Sequence, residues 1–408
     1  MCSGKDHLNM MKRVKKARRV FRNLASMLCV LLCMFPADSC AQDAAETADE
    51  SLQQGLDRVL GSLDFSAVQD ITLTIPGFEE GTGIEQVARA IASGEAISAD
   101  ELVAFVLGVF FDALSGLGKL MLAIMLPVLL SSMLSHTLAS RKDTLESLCR
   151  SVCFVLILVP VVVLVIEELE HTRETIVTMT HHMQSMLPML LTLLTAVGGS
   201  ASSAFLHPVV VAASGSMVFL AREVILRLVM CTCAVTAVNH LSDRAHLTRM
   251  AQLLRSAACW LLGVSFTVFL GAMSLQGIAS ASIDGVAIRA AKYAVDNFVP
   301  VVGGMFSDTM DTLVGCTLIV KNALGVAAVL ALGSALMAPM ARTLAVVFVL
   351  RLSAALLEPV ADGDIVHAIG DFSRTIVLFF ITMLCVGTMY FLLIVQVLLV
   401  GNLTVMLR

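Results

Sequence analysis

Charge is scarce in this 408-residue sequence: Asp, Glu, Lys and Arg make up 14% of it, against about 25% in soluble domains. Apolar residues make up 58%, and the mean hydropathy is +0.89. One soluble core cannot hide that much Leu, Val and Ala, so lipid must solvate much of the chain. A basic patch is missing from the region after residue 41, and the formal net charge is only −5; nucleic acid is excluded as a partner. Cysteine is missing from the polar stretch 42–100, so no disulfide framework holds it. Of the 11 cysteines, Cys2, Cys29, Cys33 and Cys40 precede that stretch and the others fall in or beside apolar runs, where a thiol acts as a small hydrophobe. The sequence also lacks G-x-S-x-G and H-E-x-x-H, the commonest signatures of hydrolytic sites.

What is present begins with a targeting pattern. Lys12, Arg13, Lys15, Lys16, Arg18, Arg19 and Arg22 precede the apolar run 24–35, then Pro36 and small residues. The run is too short to cross about 30 Å of hydrocarbon, so residues 1–41 read as a signal peptide cleaved before Gln42. Lipidation of Cys40 is the competing reading, although Asp38 and Ser39 make a poor context for it. Residues 42–112 read as an acidic extracytoplasmic region, partly helical and partly disordered, with a short strand at 71–75 and a helix start at Ser98-Ala-Asp-Glu101.

Residues 113–408 read as a multi-span membrane domain, which makes the fold class all-α: a polytopic protein of about seven to nine transmembrane helices. The candidate spans are 114–134, 150–166, 184–199, 204–221, 223–240, 257–276, 313–338, 342–360 and 375–400. Nine spans put Arg141, Lys142 and Arg150, the loop 241–256 and Arg342 inside. Glu167, Glu168, Glu170 and Glu174, and the acidic 358–371 segment, then fall outside. The Lys/Arg bias sets that orientation and leaves the C-terminus cytoplasmic. Within 241–256, Leu247, Met250, Leu253 and Leu254 share one face, which fits either an interfacial amphipathic helix or a charged linker.

The stretch 277–322 is too polar for a comfortable span and too regular for a plain loop. A helix is expected over 283–298, with Asp284, Arg289, Lys292 and Asp296 as its polar positions and Lys292 and Asp296 spaced to pair. Asn297 through Pro300 breaks it, Gly303 and Gly304 permit close backbone approach, and Ser307 caps a new helix with Asp308 in its first turn. On that helix Asp311 and Asn322 share a face with Gly315, and Lys321 lies beside it. A polar stripe of this kind faces protein or water, so these residues are candidates for a pore, a substrate path or a buried subunit interface. Interhelical packing with a snorkelling Lys321 is the plainer alternative. A second element, Pro188 followed by Gly198, Gly199 and three serines up to His207-Pro208, reads as a tight turn, with His207 at a helix start.

Several of these strings resemble one known family. They are Met186-Leu-Pro-Met-Leu, the run from Gly198 to Pro208, Leu241-Ser-Asp-Arg, Thr267-Val-Phe-Leu-Gly, and the run from Asp284 to Ala294. The most specific are Asn297 to Asp308 and Val320 to Ala327. The sequence is similar to the stage III sporulation protein AE family of endospore-forming bacteria. The resemblance implies a non-enzymatic, multi-pass subunit of the channel-like complex between mother cell and forespore. It would sit in the mother-cell membrane, with other membrane subunits from the same operon and a forespore membrane protein as partners, and with no cofactor.

Two other functions compete. A stand-alone secondary transporter suits broken helices and intramembrane charge, but no second interrupted pair appears in the other half of the sequence. A membrane enzyme would draw on Ser200, Ser202 and Ser203 with His207 or His240, or on a metal at His171, His181 and His182; neither set completes a site.

Overall fold

Four helices in this protein are far longer than a bilayer is thick. The computed structural model describes residues 61, 72–73, 82–92, 99–138, 143–241, 247–298, 303–359 and 363–406. The expected signal peptide and acidic stretch, the 139–142 connection and Pro300 lie outside the described residues. The short strands β1 (Thr72–Leu73) and β2 (Thr82–Gly83) pair antiparallel. They are followed by α1 (Ile84–Ala92), α2 (Ala99–Gly116) and α3 (Gly118–Leu138). Strand and helix start fall where 71–75 and Ser98-Ala-Asp-Glu101 place them.

The membrane part is built from α4 (Asp143–Ala196), α5 (Ser200–Phe219) running through a π-helical turn at Leu220–Ile225 into α6 (Leu226–Leu241), α7 (Thr248–Phe298), α8 (Gly303–Leu357) and α9 (Gly363–Met406). At 1.5 Å per residue, the 55 residues of α8 extend about 83 Å and the 54 of α4 about 81 Å. Five helical stretches among the described residues are long and apolar enough to cross a membrane: Val103–Leu130, Ser202–His240, Thr248–Gln276, Val314–Leu357 and Gly363–Asn402. The protein is all-α and polytopic, as the composition requires.

The expected boundaries between spans are revised. Runs 150–166 and 184–199 belong to α4, 204–221 and 223–240 to the α5–α6 rod, and 313–338 and 342–360 to α8. Charged residues and prolines suggested loops between them. Yet Pro127, Pro160, Pro188, Pro208 and Pro339 all sit inside helices. In lipid an opened backbone has no water to bond, so the helix continues through residues that would end it elsewhere. The segment 248–256 is likewise the start of α7 rather than a separate interfacial helix. Ser307 is not a cap, because α8 begins at Gly303.

Side-chain pairs fix how the rods lie. α8 and α9 form an antiparallel hairpin: Arg351 Nε donates to Ser373 Oγ (3.4 Å) near the connection, and Lys321 Nζ donates to the Leu398 carbonyl (3.0 Å) at the far end. α4 runs parallel to α9, with the hydroxyls of Thr180 and Tyr390 2.9 Å apart. α7 also runs parallel to α9, through Arg255 on the Asp371 carbonyl (3.3 Å) and Gln396 on the Met273 carbonyl (3.0 Å). The buried centre, with Ile176, Met179, Val346, Leu350, Phe372, Phe379 and Tyr390, lies between α4, α8 and α9. Gly325, Gly387 and Gly401 let α8 and α9 approach closely, since a Cβ there would collide with Leu398, Leu336 and Lys321 respectively. Such small residues serve where dispersion, not water exclusion, holds helices together.

Candidate functional site

The chain between Val320 and Leu324 is apolar except for Lys321 and Asn322, and α8 turns Lys321 inward. The side chain has no solvent exposure. Besides the Leu398 carbonyl, its ammonium lies 3.5 Å from Asn402 Oδ1 on the next turn of α9. Among the described residues no carboxylate pairs with it. Gly401 supplies the space: a Cβ there would fall on the ammonium itself and come within 3.2 Å of Leu194 in α4. Three helices therefore converge on one buried cation. Next to it, Asn322 Oδ1 is buried without a hydrogen-bond partner among the described residues. A buried ammonium held only by neutral oxygens is costly in a low-dielectric setting and is uncommon in membrane helices outside functional positions.

The α4–α5 turn lies at the same end, and its sequence explains its shape. Gly198 has φ 106°, the left-handed region that glycine enters without a Cβ clash. Gly199 N–H donates to the Leu194 carbonyl (2.9 Å) and Gly198 N–H to the Thr195 carbonyl (3.0 Å), the paired bonds of a Schellman ending. Gly199 then caps α5, where the Thr195 and Ser203 hydroxyls meet at 2.9 Å. The expected tight turn is present, and a Cβ on Gly199 would come within 2.8 Å of Leu194. Pro188, His207 and Pro208 are exposed on helices, and His207 lies two turns inside α5 rather than at its start.

Other residues singled out from the sequence are placed only along the backbone. Asp284, Arg289, Lys292, Asp296 and Asn297 ride on the last turns of α7, and Gly303, Gly304, Ser307, Asp308 and Asp311 on the first turns of α8. Their side chains lie outside the described residues. α7 is described to Phe298 and α8 from Gly303, so the break expected at Asn297 to Pro300 falls at and beyond the edge of the described residues.

Three polar groups were missed as sites. Glu168, expected in an outer loop, is wholly buried on α4. Thr343 donates to its Oε2 (2.9 Å), and Arg342 Nε lies 3.4 Å from its Oε1. His171, one turn on in the same helix, has a buried Nε2 without a partner among the described residues, and His182 has a buried Nδ1. No cluster able to hold a metal occurs among the described residues. At the end of the bundle nearest the α8–α9 connection, Asp371 accepts from Arg374 (2.9 Å) and faces His240 Nε2 (3.3 Å). Finally, Arg222, Glu223 and Arg227 lie on or beside the π-helical turn, with Glu223 and Arg227 ion-paired.

Two of these contacts overturn the expected loop sides. Glu168 and Arg342 were assigned opposite faces of the membrane, as were Arg255 and Asp371; each pair touches. Charge counting fails there because it treats a charge in a rod as the end of a span.

A family model described as stage III sporulation protein AE matches residues 83–401. The chain belongs to the stage III sporulation protein AE family. It is also 27% identical over 375 residues to the stage III sporulation protein AE of Bacillus subtilis (strain 168), covering 90% of this chain and 94% of that protein. No solved structure matches the chain. The family match runs from β2 almost to the end of α9, so it takes in the Lys321 seam, the glycine turn and the Glu168 contact.

Proposed function

We propose that this protein is a membrane subunit of the sporulation apparatus, acting as a non-enzymatic part of a channel-like complex between mother cell and forespore. The observation that carries the reading is the family match over 83–401. The helical membrane architecture supports it, and so does a buried cation at the α4–α8–α9 junction, of the kind that marks transport paths and subunit contacts in membranes. Operon-encoded membrane subunits and a forespore membrane protein are the partners that this reading requires, and the mother-cell membrane around the forespore is its location.

The rods also support a revised orientation. With α4 crossing as well as the five apolar stretches, the α2–α3 stretch, α4, α5–α6, α7, α8 and α9 make six crossings. With the N-terminal region outside, the connections 139–142, 242–247 and 358–362 fall inside. The basic residues Arg141, Lys142, Arg150, Arg244, Arg249, Arg255, Arg351 and Arg374 cluster at those connections, as Lys/Arg bias toward the cytoplasm requires. The α4–α5 turn, the 298–303 interruption and the C-terminus then face the intermembrane space.

The test is genetic and direct. A sporulating host lacking this gene should arrest after engulfment and recover with the wild-type copy. Heat-resistant spores at normal frequency without the gene would sink the reading.

A further inference from the structure

The outward face of the α5–α6 rod differs from those of α3, α7 and α8. Exposed positions on α3 are Leu122, Leu126, Leu129 and Leu130; on α7 they include Trp260, Val264 and Val268; on α8 they include Phe348, Leu352 and Leu356. These are the side chains that lipid solvates well. On α5–α6 the exposed stripe runs through Ala212, Gly215, Ser216, Phe219, Arg227, Cys231 and Ala234, with the half-buried Glu223 between Phe219 and Arg227, each about one helical turn or less from the next. Apart from Phe219, the residues of this stripe are small or charged.

Depth sharpens the contrast. α6 ends at Leu241 and α7 starts at Thr248, where Leu247 N–H donates to Asn239 Oδ1 (2.8 Å). Counting back from that reversal, Arg227 and Glu223 stand level with about Leu262 and Phe266 of α7. Those positions are central in the exposed apolar stripe of α7, which extends from Met250 to Leu275. A side chain 74% exposed (Arg227), beside a carboxylate 34% exposed (Glu223), thus sits in the middle of the apolar belt. Charged groups at that depth face protein or water rather than lipid.

We propose that this face is a self-association surface, through which two copies of the chain pack inside the bilayer. The charges select the occupant. One acid and one base four residues apart form a self-neutral pair, and a two-fold axis along the membrane normal brings Glu223 of each copy toward Arg227 of the other. Four residues of helix is about 6 Å of rise, a stagger that the long arginine side chain bridges. Gly215, Ser216 and Ala212 permit the close approach that intramembrane packing uses. Cys231, one turn past Arg227, then lies near its symmetry mate. The inference does not depend on the role in sporulation.

Cys231 makes the test possible in the full-length protein. In membranes holding a chain whose other cysteines are serine, mild copper–phenanthroline oxidation should give a disulfide species of twice the monomer mass. A matching chain that retains only Cys259, which is exposed on α7, should stay monomeric. Glu223→Arg should reduce the Cys231 product at least fivefold, and Glu223→Arg with Arg227→Glu should restore it. Nanodiscs should hold two copies of the unmodified chain. The proposal is overturned if Cys231 cross-links no better than Cys259, if nanodiscs hold single copies, or if the Cys231-only chain stays monomeric while reacting with a membrane-impermeant maleimide. The last result would assign the face to a hydrated path, and capture of a different membrane protein by Cys231 in place of the dimer would assign it to another subunit.

Discussion

Lys321 Nζ donates to the carbonyl oxygen of Leu398 at 3.0 Å, joining α8 to α9 without a counter-charge among the described residues. An ammonium in this position costs folding energy, so a purely structural role predicts gain from its removal. Lys321→Met fills similar volume with an apolar chain. The expected outcome is unchanged or higher thermal stability of the purified protein, together with loss of sporulation in a complemented deletion strain. Normal spore counts with Lys321→Met would remove Lys321 from the working part.

Gly401 tests the same junction from the other side. A β-branched side chain there occupies the position of the ammonium. Gly401→Val should destabilise the bundle by about 1–3 kcal/mol, as overpacking does. Pairing it with Lys321→Ala should return part of that loss, because the two changes share one space. Unfolding curves in detergent would show whether the effects couple.

Glu168 has an apolar surround and two partners on α8. Glu168→Ala removes the acceptor of Thr343 and one of the two carboxylates beside the part-exposed Arg342 and should cost about 1–3 kcal/mol. Glu168→Gln keeps an acceptor for Thr343 and should cost less. Glu168→Leu combined with Arg342→Met, which removes both charges, should be more stable than Glu168→Ala alone. Thermal melts of the four proteins decide the order.

At the α4–α5 turn, Gly198→Ala forces a Cβ into left-handed backbone and should cost about 1–2 kcal/mol. Gly198→Asn should cost less, since asparagine visits that region more readily. Equal losses for both would mean that neighbouring contacts, not backbone conformation, govern the position.

Orientation has its own measurement. A reporter active only outside the cytoplasm, fused after Arg408, should be active under the six-crossing reading. One fused within 242–247 should be silent. The opposite pattern would restore an inside C-terminus.

Much of this was legible from sequence, and the failures have one cause. The apolar runs, the glycine turn and the start of α2 were all local signals, and each is where its residues place it. Family strings around Lys321 also pointed to a residue that proves to be buried. Glu168 and Arg222 were misread because a charge between two apolar runs looks like a loop when its partner is unseen, while Glu223 and Arg227 fell inside the expected span 223–240 and were passed over. The partner of Glu168 is 175 residues away, and no window along the chain contains both. Prolines misled in the same direction, since their helix-breaking habit is learned from water.

That separation matters while the protein is being made. α4 leaves the ribosome well before Arg342 and Thr343 exist; at about 5–20 residues per second the delay is roughly 9–35 s. For that interval the Glu168 carboxyl has no partner on α8, and α4 must be sheltered by the insertion machinery or enter the bilayer with that carboxyl neutral. The same contact that later joins α4 to α8 thus sets an order of assembly, in which the N-terminal helices wait, incompletely satisfied, for the C-terminal hairpin to arrive.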